Sequence, residues 1–446
     1  PNSLKPYFIL GKDSKFFAME NRPVSLDIPA LKSFEGCIRV PGSKSISNRA
    51  LLLSALAQGE TRLHYLLQSD DTLHMGNALK QLGIDITFEK NGTEAIVKGL
   101  GGTFPNSQGD FFLGNAGTAM RSLTAALSLG HGNYTLHGEP RMHERPIGDL
   151  ISALRTLGAE ITYTQNEGFP PLEIKANGLH GKLVTVRGNI SSQYLTALLL
   201  CAPYTEHGLT ITVEGELISK PYIALTIAMM KDFGIVVKNN HFESFEIPKG
   251  TYIAPGDYDI EGDASSATYP LAAAAISRSK IRVEGVGSKS IQGDIRFTEV
   301  LEAMGAKIHF AEKWVECVGN ELKGVDLDLN HIPDAAMTVA PLALFAKGTT
   351  KIRGIASWKV KETDRLAAIS TELRKLGAIV ETDEDSITIT PPEKINSASI
   401  DTYNDHRMAM CFSLVALGGI PITIMDPACV NKTYPSYFDD FFRLAK

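Results

Sequence analysis

The chain has 446 residues, enough for two or three domains at the usual ~100–200 residues each. Hydrophobic residues make up 43% and charged residues 21%, a globular composition that argues against a long disordered tail. Lys and Arg total 44 against 50 Asp and Glu, so the net charge is −6 and general binding to nucleic acid or to an anionic membrane is not expected.

At the N-terminus, the apolar stretch over residues 7–10 has neither the length nor the flanks of a secretion signal. No apolar run reaches the ~18 residues that span a bilayer. The five cysteines (Cys37, Cys201, Cys317, Cys411 and Cys429) are scattered, with no CxxC pair. That argues against structural zinc and a disulfide framework, and points to a reducing, cytoplasmic compartment. The nucleotide fingerprints GxxxxGK[ST] and GxGxxG after a strand are missing, and GLGG at residues 99–102 reads as a loop.

The chain is a sixfold repeat. In order, PGSKSISNRALLLSAL, GNAGTAMRSLTAAL, GNISSQYLTALLL, GDASSATYPLAAAA, IPDAAMTVAPLALFA and YNDHRMAMCFSLVAL run from a small polar loop into an Ala- and Leu-rich helix. Lys44, Gly117, Ser191, Asp263, Asp334 and Asp405 mark them at intervals of 73, 74, 72, 71 and 71 residues. These helices are apolar on nearly every side and are expected to be buried. Pro270 and Pro341, inside two of them, argue against straight helices there.

A second series, QLGIDITF, TLGAEITY, DFGIVVK, AMGAKIHF and KLGAIVET, places Gly83, Gly158, Gly234, Gly305 and Gly377 at helix C-caps with a strand to follow. The last helix, residues 436–445, has no strand after it, and an N-terminal segment such as GCIRV at residues 36–40 is expected to supply one. Each unit thus reads as helix, strand, helix, strand over roughly 70 residues. Six units exceed what one core holds, so two lobes of three are expected, with an interlobe cleft as the binding site. Residues 42–259 form an inserted lobe with repeats 1–3, and residues 19–41 plus 260–446 a discontinuous lobe with repeats 4–6.

Cations recur at matching places. Loops opening the first-series helices carry Lys44 and Arg49, Arg121, and His406 with Arg407. Loops before the second helices carry Arg141 and Arg145, Lys220, Lys361 and Arg365, and Lys432. Helix N-termini themselves favour anions. Taken singly, each cation is better explained as solvated surface charge. Repeated in register, they converge if equivalent loops face one cleft, and a small ligand with several negative charges is then the natural partner. Other residues have plain explanations too: Ser191 and Asp334 as N-caps, Glu362 in spaced ion pairs on a surface helix, and His406 with Arg407 as a buried, satisfied pair.

The segments PGSKSISNRALLL, LGNAGTAMR, GEPRMHERPIG, SSQYLTALL, SKPYI, GDASSA, QGDIRF, HIPDAAM, WKVKETDRL and YNDHRMAM stand in this order. Together they resemble the 5-enolpyruvylshikimate-3-phosphate synthase family, the 3-phosphoshikimate 1-carboxyvinyltransferases of aromatic amino-acid biosynthesis. The resemblance runs from about residue 34 to the C-terminus; residues 1–18 form an extension outside it. It implies an α/β fold of two lobes, each with three βαβαββ units and buried parallel helices, that closes on its ligands like a clam. The implied reaction adds the 5-hydroxyl of 3-phosphoshikimate to C2 of phosphoenolpyruvate while C3 gains a proton. Phosphate then leaves the tetrahedral ketal, with no metal and no organic cofactor. The expected partners are these two substrates alone, with no nucleic acid and no membrane, and a monomer is expected.

By resemblance, Lys44 contacts both substrates, and Ser45 and Arg49 hold the shikimate ring and carboxylate. Ser191, Ser192, Ser219 and Lys220 surround the 3-phosphate, Gln193 and Tyr222 touch the ring region, and Asp334, Ser357 and Lys361 complete the set. Gly117 brings bare backbone to phosphoenolpyruvate, where a side chain would obstruct. Arg145 and Lys432 grip its phosphate, Arg365 and Arg407 clamp its carboxylate in the bidentate way arginine favours, and Gln193 is shared by both substrates. Arg121 packs behind the loop.

Asp334 is implied as the base for the 5-hydroxyl. Glu362 is implied as the group that gives C3 its proton and takes it back, helped by Lys44 and His406. A carboxylate among Lys361, Arg365 and Lys44 has a lowered pKa, so acid behaviour is expected mainly once two polyanions fill a closed cleft. The chain departs from the family pattern at Ser122 (proline is usual), Ser357 (asparagine) and Lys359 (arginine). Ser122 bears on the herbicide glyphosate, which in the family competes with phosphoenolpyruvate. Two rival functions remain. One is the sister enolpyruvyl transferase for UDP-N-acetylglucosamine, whose reactive cysteine has no counterpart near residues 141–145. The other is a non-catalytic polyanion-binding module, which has no need of Asp334 and Glu362.

Overall fold

The computed structural model describes residues 23–446, so the extension over residues 1–18 lies outside the described residues. The first unit carries helices α1 (Lys44–Leu56) and α2 (Asp70–Gln81), the second α3 (Gly117–Ser128) and α4 (Gly148–Thr156), and the third α5 (Ser192–Cys201) and α6 (Lys220–Asp232). The fourth carries α7 (Ala264–Ser277) and α8 (Phe297–Met304), the fifth α9 (Val339–Ala343) and α10 (Arg365–Lys375), and the sixth α11 (His406–Ser413) and α12 (Tyr437–Leu444).

Helices without a polar face have to sit at the centre, and the odd-numbered ones do. In α3 only Thr118 escapes full burial. α3 packs between α1 and α5, and α9 between α7 and α11. α7 runs unbroken through Pro270, whereas the fifth unit breaks into a 3-10 turn (Ala335–Thr338) and the short α9, which contains Pro341. The five glycines of the second series have φ between +90° and +113°, closing the even-numbered helices in the left-handed conformation that glycine favours.

The second unit shows the complete pattern in one stretch of chain. Its sheet has the order Gln108–Phe112, His131–His137, Leu172–Asn177, Glu160–Tyr163. The first pair, joined through α3, is parallel, and the others are antiparallel. The first and fourth units complete themselves by exchange. Asp257–Asp259 lies parallel to Gln58–His64, and Gly36–Arg39 lies parallel to Lys280–Glu284. Each of these strands stays with the lobe the chain is leaving. The two crossings then pair with each other, Ser43 N donating to Glu261 O at 2.7 Å and Asp263 N to Pro41 O at 2.8 Å.

One expectation is corrected here. An N-terminal segment does complete the last unit, but it is Ser25–Ile28, antiparallel to Ile422–Met425, and GCIRV serves the fourth unit instead. The repeat period places a strand in a unit but cannot say which unit a crossing strand pairs with. Two separate buried cores result, one drawn from residues 46–260 and the other from residues 28–40 and 264–444.

Candidate active site

A cavity opens where the starts of α1, α3, α5 and α6 face residues 334 and 357–361 of the other lobe. Lys44, Arg49, Arg121, Arg145 and Lys361 bring five cations to its wall, and among the described residues Asp334 is the one carboxylate there. On a chain of net charge −6, the cavity is a local reversal of sign. Ser45, Ser191, Ser192, Gln193, Ser219, Tyr222 and Ser357 also line it, so all the residues expected at 3-phosphoshikimate share one wall except Lys220, which is exposed outside it. Of those expected at phosphoenolpyruvate, Lys44, Arg145 and Gln193 line it too. Arg365, Arg407 and Lys432 are buried behind it in ion pairs.

Local structure explains the placement. Ser43 caps α1, and the backbone N–H of Lys44 donates to Asp263 Oδ2 of the other lobe at 2.9 Å. One turn on, the buried Arg49 guanidinium donates to Thr226 Oγ1 (2.9 Å), Thr196 Oγ1 (3.3 Å) and Ser45 O (2.9 Å), and burial pushes its pKa down to about 10. Ser191 caps α5 through Gln193 N, as its plain explanation holds. Ser219 has φ +55°, a strained conformation for a residue with a β-carbon, and its N–H donates to Asn330 Oδ1 across the cleft at 3.3 Å.

The start of α3 has no side-chain cap, which leaves its N–H groups free. A β-carbon on Gly117 would fall 2.5 Å from Arg145 Nη2 and 2.8 Å from Arg121 Nη1. Arg121 ties Gly117 O (3.3 Å) to Pro146 O (2.8 Å), and α3 continues regularly through the buried Ser122. Gly117→Ala is expected to displace Arg145. It should raise the KM for phosphoenolpyruvate about tenfold or more, the cost of one charge-assisted hydrogen bond. Calorimetric binding of 3-phosphoshikimate should stay unchanged, and an unaltered KM would show that Arg145 is not held by this contact.

The carboxylates form the densest network. Asp334 does not cap its helix. It bridges Arg365 Nη1 (2.9 Å), Arg407 Nη2 (3.2 Å) and Lys361 Nζ (3.5 Å). Burial would raise its pKa, but Lys361, Arg407 and Arg365 hold it well below the usual carboxylate range. Glu362 accepts from Arg365 Nη2 at 2.8 Å and lies 3.9 Å from Lys44 Nζ. Burial is again outweighed, here by Arg365, Arg145, Lys44 and Lys432, so Glu362 is also held well below its usual value. Lys361, expected beside Glu362, pairs with Asp334 instead. His406 is fully buried and pushed well below its ordinary pKa by burial, Arg407 and Lys44. Neither ring nitrogen has a hydrogen-bond partner among the described residues, Nδ1 lying 3.5 Å from Asp405 Oδ1 without bonding to it.

Three supporting residues escaped the sequence. Asp71 accepts from Lys432 Nζ at 2.7 Å across the cleft, with Lys44 Nζ at 3.8 Å. Asn115 accepts from Arg145 through its backbone and side-chain oxygens, both at 2.8 Å. Asp405 caps α11 and accepts from Arg365 Nε at 2.7 Å. Asp71 reads in sequence as an ordinary first-turn acid behind the Ser69 capping box of α2, and nothing local marks its distant partner. Of the cysteines, Cys37 is exposed and the other four buried, and none lines the cavity.

Two lobes of βαβαββ-type units around a cation-lined cleft define the enolpyruvyl transferase class. In fold alone the chain is similar to the enolpyruvyl transferase NikO from Streptomyces tendae (TM-score 0.77, 17% identity, 95% of this chain and 98% of that one). Within that class, the family model described as EPSP synthase (3-phosphoshikimate 1-carboxyvinyltransferase) matches residues 28–441. The chain is 56% identical over 423 residues to a 3-phosphoshikimate 1-carboxyvinyltransferase of Marinomonas sp. (strain MWYL1), covering 94% of this chain and 99% of that protein. It is also similar to the EPSP synthase structure from Acinetobacter baumannii (TM-score 0.77, 27% identity, 94% and 97% coverage). The chain belongs to the EPSP synthase family. Among the described residues no helix is long and apolar enough to cross a membrane.

Proposed function

We propose that the protein transfers the enolpyruvyl (carboxyvinyl) group of phosphoenolpyruvate to the 5-hydroxyl of 3-phosphoshikimate and releases phosphate, a step of the shikimate pathway. The observation that carries this reading is the interlobe wall of five cations around a single carboxylate, Asp334, with a second carboxylate, Glu362, buried behind it. Two polyanionic substrates need the cations, and a proton taken from oxygen and given to carbon needs two acid–base groups. The rival transferase for UDP-N-acetylglucosamine is not favoured by the family match.

In this reading Ser191, Ser192 and Ser219 take the 3-phosphate and Arg49 the shikimate carboxylate. Arg145, Lys432 and Lys44 take the phosphoenolpyruvate phosphate near the uncapped start of α3. Arg365 and Arg407 clamp the phosphoenolpyruvate carboxylate. In the substrate-free protein Asp334 spans those same two arginines, so the incoming carboxylate competes with it. Once displaced, Asp334 keeps Lys361 as its main partner and its depressed pKa rises, which readies it to accept the 5-hydroxyl proton.

The bound phosphate likewise neutralises Lys44, Arg145 and Lys432, three of the four cations that depress Glu362, the fourth being Arg365. Glu362 becomes protonated, delivers its proton to C3 as the C–O bond forms at C2, and recovers it as the ketal expels phosphate. His406, kept neutral by its surroundings, stands near Lys44 as a helper that adds no charge to the site. No cofactor takes part, and the protein works as a cytoplasmic monomer.

Phosphate release tests the reading. It is expected with 3-phosphoshikimate and phosphoenolpyruvate together, and not with either alone. Binding of both without release would leave a polyanion-binding module, and release with UDP-N-acetylglucosamine in place of 3-phosphoshikimate would favour the sister enzyme.

A further inference from the structure

The QGDIRF segment contributes nothing to the chemistry above, yet the start of α6 is seated on it across the lobe boundary. A β-carbon on Gly293 would lie 2.2 Å from Pro221 Cβ, so the two surfaces meet flush only because residue 293 is glycine. The next residue, Asp294, is 4% exposed. It accepts from Tyr222 Oη, which lies 3.3 and 3.5 Å from its two oxygens, and from the Ser265 hydroxyl. Tyr222 lines the cavity and Asp294 does not.

A buried carboxyl is costly without donors, and here one of its two donors belongs to the opposite lobe. Burial and then Asp334 push the Asp294 carboxyl up to about 6, Asp263 adding to the rise while Ser265 and Arg407 oppose it. Burial first, with Asp294 and Asp334, raises Tyr222 well above its ordinary value, so its hydroxyl stays protonated and can donate.

We propose that Asp294 is a positioning residue: it fixes the Tyr222 hydroxyl across the lobe boundary, so that the contact of Tyr222 with 3-phosphoshikimate forms only when α6 is seated on Gly293. This rests on the function proposed above, through the contact of Tyr222 with that substrate. Asp294 itself touches neither substrate. Its loss therefore acts on the binding of one substrate and spares the chemical step.

Four proteins test this: the natural chain, Asp294→Asn, Tyr222→Phe and the double variant, compared in steady-state kinetics and in calorimetric binding of 3-phosphoshikimate. Asp294→Asn is expected to raise the KM for 3-phosphoshikimate about tenfold. The turnover number and the KM for phosphoenolpyruvate should stay within about threefold. The double variant should be no worse than the poorer single one, because both remove the same contact. Gly293→Ala, which leaves every polar group in place, should reproduce the KM rise by unseating α6. Additive losses in the double variant, or a fall in turnover with unchanged KM, would overturn the inference. If the natural chain does not bind 3-phosphoshikimate at all, the substrate assignment falls. If it binds and both Asp294→Asn and Gly293→Ala bind equally well, only this inference falls.

Discussion

Glu362→Gln is expected to lower turnover by about 10²–10⁴-fold, the usual worth of a positioned acid–base group, and to abolish exchange of the phosphoenolpyruvate C3 hydrogens with solvent. The amide keeps the shape and still accepts from Arg365, so both substrates should bind. Exchange is the decisive readout because it reports protonation at C3 alone. In the substrate-free protein Glu362 is held ionised by Arg365, Arg145, Lys44 and Lys432 against the opposing effect of burial. In the proposed reading, proton delivery waits for the substrate phosphate assigned to Lys44, Arg145 and Lys432. Exchange should accordingly require both substrates in the natural enzyme. Exchange surviving in Glu362→Gln would move the role to another group, with Lys44 the first to test.

Asp334→Asn is expected to lose turnover by a similar ~10²–10⁴-fold while still binding 3-phosphoshikimate. It should also do something a mere structural lesion would not. Asp334 bridges Arg365 and Arg407, the pair assigned to the phosphoenolpyruvate carboxylate. An amide is a weaker competitor for that clamp than a carboxylate. Phosphoenolpyruvate affinity, measured with 3-phosphoshikimate present, should therefore rise as turnover falls. A turnover loss under tenfold would remove Asp334 as the base. Weaker phosphoenolpyruvate binding would show that Asp334 supports the clamp and does not compete for it.

Much of this site is legible along the chain because its parts are local. The residue types that bind phosphate lie at helix starts, and the five intervals of 71–74 residues put those starts in register. The bland explanation also held where it was local: Ser191 does cap α5. It failed for Asp334, whose side chain leaves its own helix start for cations at positions 361, 365 and 407. Cap or site is decided by what stands opposite, and no spacing rule contains that.

Residue chemistry along the chain is enough to define the units: helices too apolar to face water, glycines that end their partners in the left-handed region, and cationic loops between them. These follow from period and residue chemistry within a few residues of each position. How the units meet is set by the packing of the two lobes. That packing sent GCIRV to the fourth sheet and residues 25–28 to the sixth, paired Lys361 with Asp334 and not Glu362, and brought Asp71 to Lys432 across 361 residues of chain. The reason is range. Burial and backbone conformation are set by neighbours in the chain, whereas ion pairs and strand pairs act over a few ångströms between segments whose separation depends on how two lobes dock.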